Sequence, residues 1–405
     1  MQNDNRYEQY GLIRNPFPVA GIAIESIDVP PFPKSVIDKF ESVVKKIESS
    51  RGDKALAVIG QYGSGKTTFM HHIVEKSFIG KNYATFYFGD PGIRFYDLAN
   101  QLLRQIGRYN FARALWEMSK TSKKIFKNST LVPLDFDQYL RSIYPAKRKS
   151  SDIKRNKELE IGRLSTFFKE EAKLTKDEEI SRKLAQLVIE TGEKPFFDYF
   201  QFREVKDSLV AVKKESDYFA ALITAIMKMY ETRGVVFLID EIENIAVNKN
   251  IGPARASEYF ISLRNLLDTS VEVNFWVVIA MTPESKDAIN GLIPPLWERV
   301  TNKGDYEIRL TIGSEEDAIK ILSYWLKKDR MGKMPDDNEL FPFSPNLSGF
   351  FKRIEVSNLT PRVLVRIFFF ALEEAIEKNK KPPIENEFLI EIFEKYYNER
   401  LEKKE

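Results

Sequence analysis

Eight consecutive residues, Gly60-Gln61-Tyr62-Gly63-Ser64-Gly65-Lys66-Thr67, combine three glycines with a lysine and a hydroxyl. They fit the spacing G-x-x-x-x-G-K-[ST] at every fixed position. Glycines let the backbone curl until successive N–H groups point inward, and such a concavity binds anionic oxygens. A helix that starts at the lysine adds the positive end of its dipole. A polyphosphate is the ligand that uses all of these features. Lys66 would reach the β- and γ-phosphates and the Thr67 hydroxyl would bind Mg²⁺, with Thr68 completing the start of the helix.

A second group follows the apolar run VVFLI (235–239): in LIDEIENI (238–245), Asp240 and Glu241 are adjacent. A carboxylate at the end of a buried strand beside a phosphate loop can hold Mg²⁺, usually through a water. The next carboxylate can orient and polarise an attacking water as general base. A kinase that passes phosphate to a bound hydroxyl does not need this second acid, so the pair argues for hydrolysis. The competing reading is that Glu241 merely opens a turn.

These groups need a scaffold, and the hydrophobic pattern supplies one. Strands are expected at ALAVIG (55–60), YATFYFG (83–89), VVFLI (235–239), NFWVVIAM (274–281) and DYEIRLT (305–311). Helices are expected between them, at about 34–50, 66–78, 91–107 (Asp90 as N-cap, Pro91 first), 216–232, 254–268 and 284–290. Strands alternating with helices imply a parallel α/β sheet. From about 108 to 215 only helical patterns and charge clusters occur, a stretch too long for one loop. From Ser314 onward only helices are expected, at 315–328, about 361–379 and about 385–402. The expected fold is therefore α/β: a five-stranded parallel sheet carrying the glycine-rich loop of P-loop NTPases, with a helical insertion and a C-terminal helical domain that the family resemblance given below implies to be a lid. Its expected division is an N-terminal arm (1–33), an α/β domain (34–107 and 216–312), the insertion (108–215) and the lid (313–405).

Composition narrows the chemistry. The chain has 405 residues, long enough for two or three domains at ~100–200 residues each. With no cysteine, disulfides and thiolate metal sites are excluded, and the only two histidines, His71 and His72, are adjacent, poor spacing for zinc. The 62 basic and 59 acidic residues leave a net charge of only +3, so nucleic-acid binding would need a local patch. The run 141–157 is the one such patch: Arg141, Lys147, Arg148, Lys149, Lys154, Arg155 and Lys157 against Asp152, with Tyr139 and Tyr144 close enough to stack on a base. A solvated loop is the competing reading. The longest apolar runs, FWVVIAM (275–281) and VRIFFFAL (365–372), are too short to span a membrane. The N-terminus carries no signal-peptide pattern, so a soluble cytoplasmic protein is expected.

GQYGSGKT with LIDE, separated by an inserted strand and helices, resembles the AAA+ ATPases. The resemblance covers about residues 10–110 and 216–400 and implies ATP and Mg²⁺ as ligands. It also implies further site residues. A polar residue at the end of the next strand corresponds to Thr282, which is equally suited to cap the following helix. An arginine before the last strand, which in the family reaches a neighbouring subunit's ATP, corresponds to Arg299 in PPLWERV, with Arg264 as a weaker candidate and a surface salt bridge as the plain alternative. A lid arginine at the start of a helix corresponds to Arg362 in NLTPRVLVRIF, with Arg366 one turn later.

The arm YGLIRNPFPVAG is similar to the N-terminal segment of origin-recognition, transposition-helper and secretion-linked ATPases, where it lies against the adenine. Ile22, Ile24 and Val36 would line such a pocket. The order helix, LIDEIENI, SLRNLLD also looks like ATP-binding proteins of BREX-type phage-defence systems. Origin initiators carry a winged helix after the lid, and the chain ends at LEKKE without room for one. The resemblance implies an ATP-hydrolysing protein that assembles as a homo-oligomer or within a heteromeric complex and remodels or regulates a nucleic-acid or protein complex. The alternative is a low-turnover ATP-dependent switch subunit of a defence or signalling complex, acting through the insertion.

Overall fold

A computed structural model describes residues 6–19, 29–50, 54–120, 122, 135–144, 150–190, 208–268, 273–332 and 338–398. Five strands form one sheet: β1 (Ala55–Ile59), β2 (Tyr83–Phe88), β3 (Gly234–Ile239), β4 (Phe275–Met281) and β5 (Glu307–Arg309). Their order is β2-β3-β4-β1-β5, and every pairing is parallel. The expected fold class is the one observed. β1, β3 and β4 are buried along their whole length, which their unbroken apolar runs require.

Side chains alternate between two faces of the sheet. On one face Ala57, Phe237 and Val277 join a cluster that runs on through Leu102, Trp116, Phe168 and Leu184. On the other face Val58, Leu238 and Trp276 pack against Phe40, Phe69 and Phe78. The helices of the 108–190 region, among them Arg108–Ser119 and Glu178–Ile189, thus share one core with the sheet. The C-terminal region, expected to be a lid, has its own cluster, built from the helices Glu315–Lys328, Ser348–Ile354, Pro361–Glu377 and Asn386–Phe393.

Tyr10, Leu12 and Phe17 of the arm are buried in the lid cluster. Ile13 N donates to Asp329 O and Met331 N to Gly11 O, each at 2.8 Å. The Tyr7 hydroxyl (2.7 Å) and Asn15 Nδ2 (2.8 Å) both donate to Glu373 Oε1. The described residues of the arm therefore pack as one unit with the C-terminal helices.

Several elements differ from the sequence reading. The helix expected from Pro91 begins at Phe95. Gly92 has φ +75°, and the Asp97 carboxylate accepts from the N–H groups of Ile93 and Arg94, so Asp97 secures the helix start in place of Asp90. The helices Pro294–Thr301 and Ser348–Ile354 were not expected, and β5 is only three residues long. The helix after the glycine-rich turn widens to π geometry over Met70–Glu75, between the α segments Lys66–Phe69 and Lys76–Ile79.

Candidate phosphate-binding site

The register sets the ends of the strands side by side. Ile59 pairs with Met281, and Ile239 with both Phe88 and Ile279. The turn after β1 and the acids after β3 therefore leave the same edge of the sheet, with β4 between them. This edge, beyond the carboxyl ends of parallel strands, is where open α/β sheets bind ligands.

Residues 60–65 form a tight loop. Gly63 and Gly65 have φ +80° and +91°, a region open chiefly to glycine. Gly60 is confined by space instead, since a Cβ there would meet Ser64 Oγ at 2.2 Å. The Ser64 N–H closes the turn on Gln61 O at 3.0 Å, and the Gly60 N–H donates to Met281 O at 3.1 Å. Lys66 is only 8% exposed, and its ammonium donates back to Gly60 O at 2.9 Å. Burial lowers its pKa, and the nearby charges of Glu243, Asp240 and Glu241 pull the other way. Tyr62 is 66% exposed, with the Lys66 ammonium 5.3 Å from its ring centroid. Gln61 lies outward, its Nε2 3.3 Å from Glu284 Oε1.

Asp240 is 1% exposed and fully engaged. Its Oδ2 accepts from the Thr67 hydroxyl at 2.5 Å and from the Tyr87 hydroxyl at 2.9 Å, while Oδ1 accepts from the Glu241 N–H at 2.9 Å. Glu241 has φ +52°. A non-glycine residue there costs of order 1–3 kcal/mol, and such strain gathers at functional sites. The turn has a geometric effect. In a continuing strand Asp240 and Glu241 would point to opposite faces. Bent at Glu241, the chain brings both to one cavity.

That cavity, of about 370 Å³, is lined by Lys66, Thr67 and Thr68, by Asp240, Glu241 and Glu243, and by Arg362 from the lid. Thr360 caps the lid helix Pro361–Glu377, its hydroxyl accepting from the Val363 N–H. The Arg362 N–H donates to Gly63 O at 3.2 Å, so the helix start rests on the loop itself. The Arg362 side chain is exposed, and no carboxylate among the described residues pairs with it. Arg366, one turn later, does not line the cavity. An apolar pocket of about 70 Å³ adjoins, bounded by Phe32, Val36, Leu310, Ile312 and Ile321. Val36 lines this pocket, whereas Ile22 and Ile24 lie outside the described residues.

Two further candidates are placed differently. Thr282 follows β4, and its hydroxyl caps the helix Pro283–Leu292, bonding to Ser285 Oγ at 2.9 Å and accepting from the Ser285 N–H. It does not line the cavity. Arg299 is ion-paired with Asp268 and lines an open cleft with Arg264 and Lys303, apart from the cavity.

Sequence reasoning missed Tyr87 and Glu243. Tyr87 needs the pairing of β2 with β3 to reach Asp240, so no local signal could reveal it. Glu243 was visible as a third acid in LIDEIENI. It is 5% exposed, and its Oε2 has no hydrogen-bond partner. Burial raises its pKa, with the Lys66 charge acting against the rise.

In the basic run, Lys147, Arg148 and Lys149 lie outside the described residues. Tyr139 is a core residue, stacked on Trp116 with ring centroids 5.4 Å apart and donating to Glu160 Oε2 at 3.0 Å. Tyr144 donates to Ile189 O at 3.0 Å and carries the Lys157 ammonium 4.6 Å from its ring centroid. The two aromatics offered as base-stacking platforms are thus engaged within the fold. His71 bonds Glu75 at 2.8 Å and packs on Tyr87. Among the described residues no group of side chains could hold a metal through three or more His, Cys, Asp or Glu, and no helix is long and apolar enough to cross a membrane.

No family model matches the chain, and no curated protein matches it. Among solved structures the chain is similar to two of the Aeropyrum pernix ORC2 protein. The ADP form is 12% identical with a TM-score of 0.41, covering 91% of this chain and 70% of that one. The ADPNP–ADP complexes are 11% identical with a TM-score of 0.40, covering 92% and 70%.

Proposed function

We propose that the chain is a Mg²⁺-dependent ATPase of the AAA+ type that couples its nucleotide state to remodelling or regulation of a nucleic-acid or protein complex. One observation carries the reading: a glycine-rich loop, Lys66, the Thr67–Asp240 pair and Glu241 converge on one cavity at the carboxyl edge of the sheet, with a lid arginine facing them. The hydroxyl–carboxylate pair is a hard oxygen donor set suited to Mg²⁺ and offers few protein ligands, as that ion prefers beside phosphates. Bound Mg²⁺ would neutralise charge on the phosphate oxygens.

The chain's own groups then divide the work. The loop N–H groups and Lys66 hold the phosphates. Thr67 and Asp240 hold the metal. Glu241 accepts the proton of the attacking water, being exposed enough for water to reach it. Arg362 brings positive charge from the lid to the phosphates, and its N–H bond to Gly63 O ties lid position to the loop. The base would lie against the apolar surface around Val36, where the pocket as it stands is smaller than a purine. The division into arm, α/β domain, insertion and lid is proposed on the same footing, with the described arm assigned to the lid. Arg299 is proposed to act on a neighbouring copy, and Thr282 to act through its cap.

A second reading, the low-turnover switch, draws on the ion pair of Arg299 with Asp268, which engages that arginine within its own chain. Steady-state ATPase rate against protein concentration, with and without DNA, separates the two, with Glu241→Gln as blank. A rate per subunit that climbs with concentration supports an assembling motor. A low, flat rate supports the switch. Lys66→Ala should abolish nucleotide binding in calorimetric titration, and undiminished binding would remove the phosphate-site reading altogether.

A further inference from the structure

Three carboxylates line the cavity, and the proposed ATPase chemistry uses two. Asp240 is satisfied by three donors. Glu241 is exposed and screened by water. Glu243 is neither, being 5% exposed with one oxygen unpartnered. A buried carboxylate without a partner is costly and calls for an explanation. The charged groups around it are Lys66 from the glycine-rich loop's helix and Asp240 and Glu241 from its own turn.

We propose that Glu243, buried and with an unpartnered oxygen in the wall of the cavity, sets the site's preference for metal-bound over metal-free polyphosphate. This rests on the reading that nucleotide occupies the cavity. Lys66 and Glu243 line the same cavity, and the acid's charge favours the ammonium. A phosphate held by Lys66 sets anionic oxygens in the cavity that buried Glu243 lines. Without a divalent cation that repulsion is unrelieved. With the cation held by Thr67 and Asp240, the local negative charge falls by two and the repulsion falls. The third acid therefore penalises bare nucleotide far more than the metal complex.

The test is the dissociation constant of ADP by calorimetry, in excess Mg²⁺ and in excess chelator, for wild type and Glu243→Gln. The amide is nearly isosteric and removes only the charge. Two unit charges several ångströms apart in a partly buried site imply a metal-free affinity gain on the order of ten-fold for the variant. The Mg²⁺ value should change much less, so the ratio of the two constants should shrink. An unchanged ratio, or weaker binding of both forms, overturns the proposal. Glu243→Ser, which also removes the charge, must move the ratio the same way, and serves should Glu243→Gln not fold. Failure of the wild type to bind ADP in either condition would overturn the nucleotide reading itself, and this inference with it.

Discussion

The contact between lid and glycine-rich loop can be tested without nucleotide, through Gly63→Ala. Gly63 has φ +80°, where an L side chain costs about 1–2 kcal/mol. Its new methyl would also lie 2.6 Å from Arg362 Cβ and 3.1 Å from Cδ, a clash that adds about 1–3 kcal/mol of overpacking. The expected total is about 2–5 kcal/mol, and its two parts are separable. Arg362→Gly deletes the atoms that the methyl would strike and leaves the backbone term untouched. In a double-mutant cycle the pair should therefore show a coupling of about 1–3 kcal/mol, with the double variant less damaged than the sum of the singles. Hydrogen exchange across the helix Pro361–Glu377 is the suitable readout, since it reports local opening even where a long chain unfolds in stages. Additivity to within about 0.3 kcal/mol would refute the reasoning, because the lid would then not rest on the loop.

Three more outcomes are expected. Arg299→Ala should lower turnover of the assembled protein on the order of 10³-fold with nucleotide affinity intact, as for an arginine supplied in trans. Its part-exposed pair with Asp268 should add at most about 1 kcal/mol to stability, and unchanged turnover would leave that ion pair as its whole role. Tyr87→Phe removes one donor from Asp240 and should raise the Mg²⁺ concentration for half-maximal activity about ten-fold, leaving metal-free nucleotide binding alone; an unmoved Mg²⁺ requirement would dismiss Tyr87 as a positioning residue. Glu215, pushed up to about 7 by burial and by Glu258, binds its proton more tightly in the folded chain than in the unfolded one. Its contribution therefore declines as pH rises from about 4.5 to about 7, and Glu215→Gln should be more stable than wild type at pH 8, by roughly 2–3 kcal/mol, but not at pH 4.5. Denaturation midpoints at the two pH values check the sign.

What could be read from sequence was what sequence holds contiguously. The glycine-rich turn is legible because one loop must present all its donors together. The strands β1, β3 and β4 are legible because complete burial needs unbroken apolar runs. The side chain of Tyr87 reaches Asp240 only because β2 pairs with β3, across 153 residues of chain. The role of Asp97 was hidden for a different reason: Asp90-Pro91 is itself a good helix start, and the competing bonds from Ile93 and Arg94 to Asp97 prevailed. Thr282 shows the limit of type and position together, since a hydroxyl after a strand and before a proline serves equally as ligand or cap.

The arm's burial within the lid bears on how this protein is made. Tyr7 and Glu373, bonded in the finished fold, are 366 positions apart. Tyr10, Leu12 and Phe17 leave the ribosome more than 300 residues ahead of the surfaces that cover them, from Trp325 to Ile392. At about 5–20 residues per second these three side chains wait some tens of seconds in water. The glycine-rich loop and the acid pair are complete well before the lid can close. A nascent chain would thus pass through a stage with its phosphate cradle assembled and Tyr10, Leu12 and Phe17 still unburied, a natural moment for a chaperone or an assembly partner to take hold.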